Sequence, residues 1–156
     1  MNESVRRRQG WGVEKIAEGE WAGWKRRERG DLYEGLVGPF FWRRDETGAL
    51  RGAFRAEKRH MNGAGFMHGG CLMTFADFLL FMIARYSLRD RDLYGVTATL
   101  NGEYTGSVGI GDLVEGSGEV VKAGGSLIFV RGLITTGPTP VMTFSGVIKR
   151  VKPRVV

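Results

Sequence analysis

Between Gly70 and Ser87 the chain reads as one helix whose middle is apolar on nearly every side. A helix of that kind must be enclosed by protein. Its most apolar stretch, Cys71 to Ala84, is 14 residues long and is interrupted by Thr74 and Asp77. A membrane-spanning helix needs about 20. The expectation is a soluble chain with no membrane partner, placed in the cytoplasm. Arg6, Arg7 and Arg8 near the start are not followed by an apolar stretch of the kind a secretory signal needs.

Strand-like runs surround this helix. Residues 38–59 read as a hairpin, with Phe40 to Arg44 first, Asp45 to Gly48 as the turn, and Ala49 to Lys58 second. Leu50, Gly52 and Phe54 should share one face. After the helix come four runs without a further helix: Leu93 to Tyr104, Asp112 to Lys122 with a bulge expected at Gly116 or Gly118, Leu127 to Thr136, and Val141 to Val151. The connectors are short and rich in turn residues, which suggests an antiparallel meander. One long apolar helix with one sheet gives an α+β domain, the sheet curved around the helix. At 156 residues the chain is long enough for one domain. We place that domain at residues 36–156. Residues 1–35, rich in Trp and Arg, are a lead-in segment with a short helix expected from Val13 to Trp24. Twenty-five glycines without a fixed period imply many turns and close backbone approaches.

The net charge of +6 suits nucleic acid, anionic lipid or a phosphorylated small molecule without choosing among them. No DNA-binding motif follows Arg6–Arg8 or Lys25–Arg29, so nucleic acid is not an expected partner. The single cysteine, Cys71, excludes an internal disulfide and reads as core packing. His60 and His68 are not at a zinc spacing, and no metal is expected. The glycines at 63, 65, 69 and 70 imitate a dinucleotide fingerprint only superficially, because strands alone follow.

Asp77 is the sharpest chemical signal. A carboxylate in a buried helix is rare unless paired. If unpaired, its pKa rises and it can act as a base near neutral pH; if paired, it is a hydrogen-bond acceptor for a loop or a partner subunit. His68-Gly69-Gly70 stands where the helix begins. The first N–H groups of a helix lack internal partners, and glycine lets a carbonyl approach them, as an oxyanion hole requires. The same residues read equally as a plain glycine-rich helix start. Gly69 and Asp77 are eight residues apart, roughly 12 Å along one helix. Reacting groups must come within about 3 Å. The two could serve one site only if antiparallel copies of the helix met across a two-fold axis.

Asn62-x5-His68-Gly69-Gly70-x6-Asp77, on a loop leading into a long buried helix followed by four strands, resembles the hotdog-fold acyl-CoA thioesterases. The closest branch is the phenylacetic-acid-degradation type. The resemblance runs from about Gly38 to Lys152. It implies a curved antiparallel sheet wrapped around one central helix, a homodimer with site halves from opposite subunits, and in many members a homotetramer. It implies that Asp77 is the catalytic carboxylate, that the Gly69 N–H polarises the thioester carbonyl, and that Asn62 and His68 position and assist. Thr97 falls where some members carry a Ser or Thr that orients water or the carboxylate. Lys122, Gly124, Gly125 and Ser126 fall where related enzymes hold the nucleotide arm of coenzyme A, and Gly70 and Tyr104 border the channel. The implied substrate is an acyl-CoA, with no cofactor besides the coenzyme A it carries. The alternatives are a non-catalytic acyl-CoA-binding module of the same fold, which need not keep Asp77, and a hydratase, whose His-containing loop this chain lacks.

Overall fold

The computed structural model describes residues 12–28 and 32–152. Arg6–Arg8 and Arg29 lie outside the described residues. Eight strands form one antiparallel sheet: β1 (Val13–Lys15), β2 (Lys25–Arg27), β3 (Phe41–Arg44), β4 (Leu50–Arg55), β5 (Gly95–Tyr104), β6 (Leu113–Ala123), β7 (Leu127–Thr136) and β8 (Thr139–Arg150). A short helix, α1 (Leu32–Val37), precedes β3, and the long helix, α2 (Gly69–Ser87), stands between β4 and β5.

The apolar residues of α2 place it. Leu72, Phe75, Ala76, Leu79, Leu80, Ile83 and Ala84 are buried against the inner face of the sheet, beside Val114, Ile128, Ile134, Met142 and Ile148. With 19 residues and a mean hydropathy of 1.3, α2 is itself long and apolar enough to cross a bilayer, so the shortness expected of the apolar run does not hold. Its packing against the sheet makes it a core helix. Nor is it enclosed on all sides. Met73, Thr74, Asp77, Phe81 and Arg85 lie on a face the sheet leaves half-open. These residues recur at intervals of three or four, which is the helical period.

Glycines bring helix and sheet together. A Cβ on Gly52, Gly116 or Gly146 would come within 2.5, 2.3 or 2.6 Å of Leu79 or Leu80 side chains. Larger residues there would push α2 off the sheet.

The strand order is β1-β2-β3-β4-β6-β7-β8-β5. Only β6, β7 and β8 form the expected meander. β5 lies at the far edge, paired with β8 alone. The connector from β5 to β6 is short but does not join neighbours. It crosses the end of the sheet, where the Gly106 N–H donates to Val141, the Val108 carbonyl accepts from Met67, and the Gly111 N–H donates to Ala56. β4 has β3 and β6 on its two edges and β6 has β4 and β7, which leaves β5 the outer edge of β8. The bulge in β6 is at Val121, not at Gly116 or Gly118. Both of those glycines stay in register, opposite Ile134 and Gly132, with Leu79 and Ile83 of the helix lying close to them.

The expected helix from Val13 to Trp24 is not present. β1 and β2 form a hairpin that continues the sheet beyond β3. Gly19 and Gly23 take φ of +77° and +83°, which closes the turn and cannot occur inside a helix. Trp21 stacks on Phe41 at 4.1 Å, and Trp24 is buried against Phe41 and Ala53. The hairpin is therefore fastened by aromatic packing on the outer face. In the β3–β4 turn, Asp45 accepts from Thr47 and Ala49, and Gly48 has φ +83°, as the turn residues require.

Candidate active site

Three elements build the site: the loop 61–68, the first two turns of α2, and the edge strand β5. The loop is a small hairpin tied by a Met61–Met67 bridge. Asn62 organises it. Its Oδ1 accepts from the N–H groups of Ala64 and Phe66 at 2.9 and 3.2 Å. That use of the carbonyl oxygen leaves the amide NH2 as the end that can meet a ligand. The base of the loop is held by His60, which is buried: its Nδ1 accepts from the Glu57 N–H at 2.9 Å, and Nε2 donates to the Val37 carbonyl at 2.8 Å. His60 is a structural histidine.

His68 caps α2. Its Nδ1 accepts from the Gly70 N–H at 2.9 Å. A neutral imidazole that accepts at Nδ1 carries its proton on Nε2, so exposed His68 presents a donor to solvent. The Gly69 N–H, first in the helix, makes no hydrogen bond among the described residues. It is the orphan donor at the positive end of the helix dipole. Tyr104 lies against it. Its hydroxyl donates to the Gly69 carbonyl at 2.9 Å, and a Cβ on Gly69 would stand 3.0 Å from the Tyr104 ring.

Asp77 points from the half-open face of α2, not into an apolar core. It is paired: the Thr97 hydroxyl donates to Asp77 Oδ1 at 2.6 Å. Thr97 reaches it because β5 is bulged at Ala98, between Thr97 and Thr99. A bulge re-aims its neighbours. The expectation of a deeply buried carboxylate is therefore corrected to a half-buried one held by a single hydroxyl.

A cleft of about 570 Å³ runs along this face of α2 from Gly70 past Met73, Thr74, Asp77 and Phe81 to Arg85. Helix α1 roofs it. Tyr33 and Thr74 hydroxyls are 3.3 Å apart, and Arg59 ties the end of α1 by donating to the Leu36 carbonyl at 2.8 Å. Arg27 of β2 forms a 3.6 Å ion pair with Glu34 of α1. Arg27, Arg85, Tyr33 and Phe81 were not anticipated. The spacing of Met73, Asp77, Phe81 and Arg85, every fourth residue, carried the signal for the helix part.

Within one chain, Asn62, His68, Gly69, Gly70 and Tyr104 come together, and so do Asp77 and Thr97. Lys122, Gly124, Gly125 and Ser126 do not join them. Along β6, Gly116 faces Phe75 and Leu79 and Gly118 faces Ile83, so the β6–β7 turn lies toward the C-terminal end of α2. There the Ser126 carbonyl accepts from the Arg150 N–H, whose side chain pairs with Asp90. The turn is exposed, and the Gly124 N–H is already bonded to the Leu127 carbonyl. Cys71 is buried as expected, and burial pushes its thiol up to about 11.

A family model described as the thioesterase superfamily matches residues 64–143. That span holds the helix, its start and most of the β5–β8 strands. A Pseudomonas aeruginosa protein named as an esterase is 35% identical over 112 residues, covering 72% of this chain and 83% of that protein. Among solved structures, E. coli PaaI, from the phenylacetic acid degradation operon, superposes with a TM-score of 0.66 at 18% identity. That match covers 81% of this chain and 88% of the PaaI chain. A Streptococcus pneumoniae thioesterase protein solved with coenzyme A gives a TM-score of 0.61 at 20% identity, over 74% of this chain and 88% of that one. The architecture is the hotdog fold, as the sequence led us to expect.

Proposed function

We propose that this chain, which belongs to the thioesterase superfamily, hydrolyses acyl-CoA thioesters to a free acid and coenzyme A at a site shared between two copies. The observation that carries the reading is Asp77, held by Thr97 in the wall of a cleft that begins at Gly70, next in the chain to the Gly69 N–H, which makes no hydrogen bond among the described residues. A relative solved with coenzyme A supports the choice of thioester.

The thioester carbonyl oxygen would lie at the Gly69 N–H, with the Asn62 amide and His68 Nε2–H as further donors. These groups stabilise the charge that develops on that oxygen as the carbon becomes tetrahedral. Asp77 would attack the carbon or take a proton from the water that does. The C–S bond then breaks, and the sulfur leaves as the thiol of coenzyme A. Gly69 and Asp77 sit on one helix, about 12 Å apart, so they cannot flank one carbonyl within a protomer. A two-fold axis beside β5 would set Asp77 of one copy against Gly69 of the other. β5 is free to take part, since its outer edge has no strand partner among the described residues. The same two-fold would carry the Lys122–Ser126 turn of the second copy toward the first copy's helix start, where its lysine and backbone donors could meet the coenzyme A phosphates.

The test is thiol release from a panel of aromatic and aliphatic acyl-CoAs, with Asp77→Asn beside the native protein. We expect release by the native protein and a loss of about 100-fold or more in kcat for the variant, or about 2.7 kcal/mol of barrier. Tight binding of an ester without release would replace this reading with an acyl-CoA-binding module.

A further inference from the structure

The loop that leads into α2 carries an aromatic ring that its own chain leaves uncovered. Phe66 is 52% exposed and stands three residues before Gly69. Its backbone is nonetheless fixed. The Phe66 N–H donates to Asn62 Oδ1 at 3.2 Å, and the Phe66 carbonyl accepts from the Asn62 N–H at 2.7 Å. The next residue, Met67, is buried, and its N–H donates to the Val108 carbonyl at 2.9 Å. The loop is thus anchored through Met67 while the ring of Phe66 stays outside. We propose that Phe66 of one copy packs into the cleft of the other, against Phe81, and sets the size of acyl group that the shared site hydrolyses. The inference rests on the reading of a thioesterase site divided between two copies, and adds to it the residue that selects the acyl group.

The position follows from the helix register. When Gly69 of one copy faces Asp77 of the other across a two-fold axis, the residue midway between them, Met73, faces its own copy. Met73 is half-buried and lines the same cleft as Asp77. It lies on the helix face that such an axis requires, because residues four apart are neighbours on a helix. The two helices run antiparallel there. The chain preceding Gly69 in one copy therefore lies beside the chain following Asp77 in the other. Phe66 comes next to the turn after Asp77, where Phe78 and half-buried Phe81 line the cleft. Phe81 is four residues past Asp77, about 6 Å along the helix. An acyl group that extends along the cleft from a carbonyl carbon at Asp77 passes Phe81 first, under the α1 roof that carries Tyr33. The cleft is about 570 Å³ in the single chain, and a ring entering from the partner shortens it. Packing that ring against Phe81 also takes apolar surface out of water, which favours assembly. Because Asn62 holds the loop, the ring obstructs long acyl groups and leaves room for short ones.

The experiment measures kcat/KM for hexanoyl-CoA and decanoyl-CoA. Phe66→Ala should raise the decanoyl-to-hexanoyl ratio by about tenfold or more, and Phe66→Trp should lower it. The ratio is unaffected by any loss of folded protein. An equal change for both esters overturns the proposal and leaves Phe66 as an interface residue only. Hybrids isolated through two different tags then locate the ring. A chain carrying both Phe66→Ala and Asp77→Asn, paired with a native chain, keeps one intact carboxylate, and the altered loop faces it. That hybrid should show the Phe66→Ala ratio. A Phe66→Ala chain paired with an Asp77→Asn chain should show the native ratio. The reverse assignment puts ring and carboxylate in one chain and overturns the proposal. Met73→Cys checks the register, using a bis-maleimide that spans about 10 Å, the spacing of packed helices. It should link two copies, while the native chain, whose Cys71 is buried, stays unlinked. No link in a dimer of confirmed mass overturns the register and the proposal with it, and so does a chain that is monomeric under assay conditions. If neither ester is hydrolysed, the thioesterase reading fails, and calorimetry with the same two esters still decides the role of Phe66. A ratio of affinities that moves with Phe66→Ala supports the contact; an unchanged ratio ends it.

Discussion

Thr97 meets Asp77 because β5 carries one residue more than β8 can pair at that point. A hydrogen bond to an ionised group contributes about 1.5–3 kcal/mol. If Thr97 aligns the carboxylate, Thr97→Val should lower kcat by about tenfold or more, and Thr97→Ser should retain most of it. Both variants should keep the native circular dichroism spectrum, since Thr97 is only half-buried. Equal rates for Thr97→Val and the native protein would remove Thr97 from the site. Cys71 offers a second check at this scale. It is buried, and burial raises its thiol to about 11. At pH 8 a thiol reagent should therefore leave native Cys71 unmodified and react fully once denaturant is added. Rapid labelling of the folded protein would mean that the start of α2 opens.

Among the elements, the contact between α2 and the sheet is set by glycines. Gly116→Ala would put a Cβ 2.3 Å from Leu79 Cδ1 and 3.2 Å from the Phe75 ring. Both side chains are fully buried and have no room to turn. Overpacking of this kind costs about 1–3 kcal/mol, to be read as a lower urea midpoint with the slope unchanged. An unchanged midpoint would show that the helix can shift on the sheet. The same scale shows what could be read from the sequence. The helix, β7 and the β3–β4 turn were legible because periodicity and turn residues act locally. The segment from Val13 to Trp24 was misread. Its strand state depends on Trp21 and Trp24 finding Phe41 and Ala53, contacts that no local pattern encodes. Asn62, His68, Gly69 and Asp77 were legible as a spacing. Arg27 and Tyr33 were not, since β2 and α1 bring them in from outside the motif.

For the whole molecule, a site divided between copies makes a quantitative demand. Two inactive variants should complement each other if Asp77 and Gly69 act from opposite chains. A hybrid of Asp77→Asn with a chain disabled at the helix start, such as Gly69→Pro, holds one site with both defects and one with neither. Random exchange across a two-fold interface should then restore about a quarter of native activity. Mixing that restores nothing, although exchange is verified by mass, would place both groups in one chain. The roof over the cleft belongs to this scale as well. α1 comes from a segment preceding the core domain, and it encloses a face that the sheet leaves open. The boundary expected near residue 35 therefore runs through the middle of that roof, and Tyr33 and Glu34 line the cleft from its N-terminal side.

The placement of β5 at the far edge has a consequence for synthesis of the chain. Helix α2 is made before every strand that buries most of its apolar face, and β6, β7 and β8 supply that cover only once residues 113–150 have emerged. Pairing between β4 and β6 must close a loop that contains the whole helix and β5, a non-local contact that slows folding. Until then Ile83 and much of Leu79 lack that cover in the nascent chain, while Phe75 can already meet Phe40 and Phe54. A ribosome-bound fragment ending before β6 should engage chaperones, and one extended through Arg150 should release them.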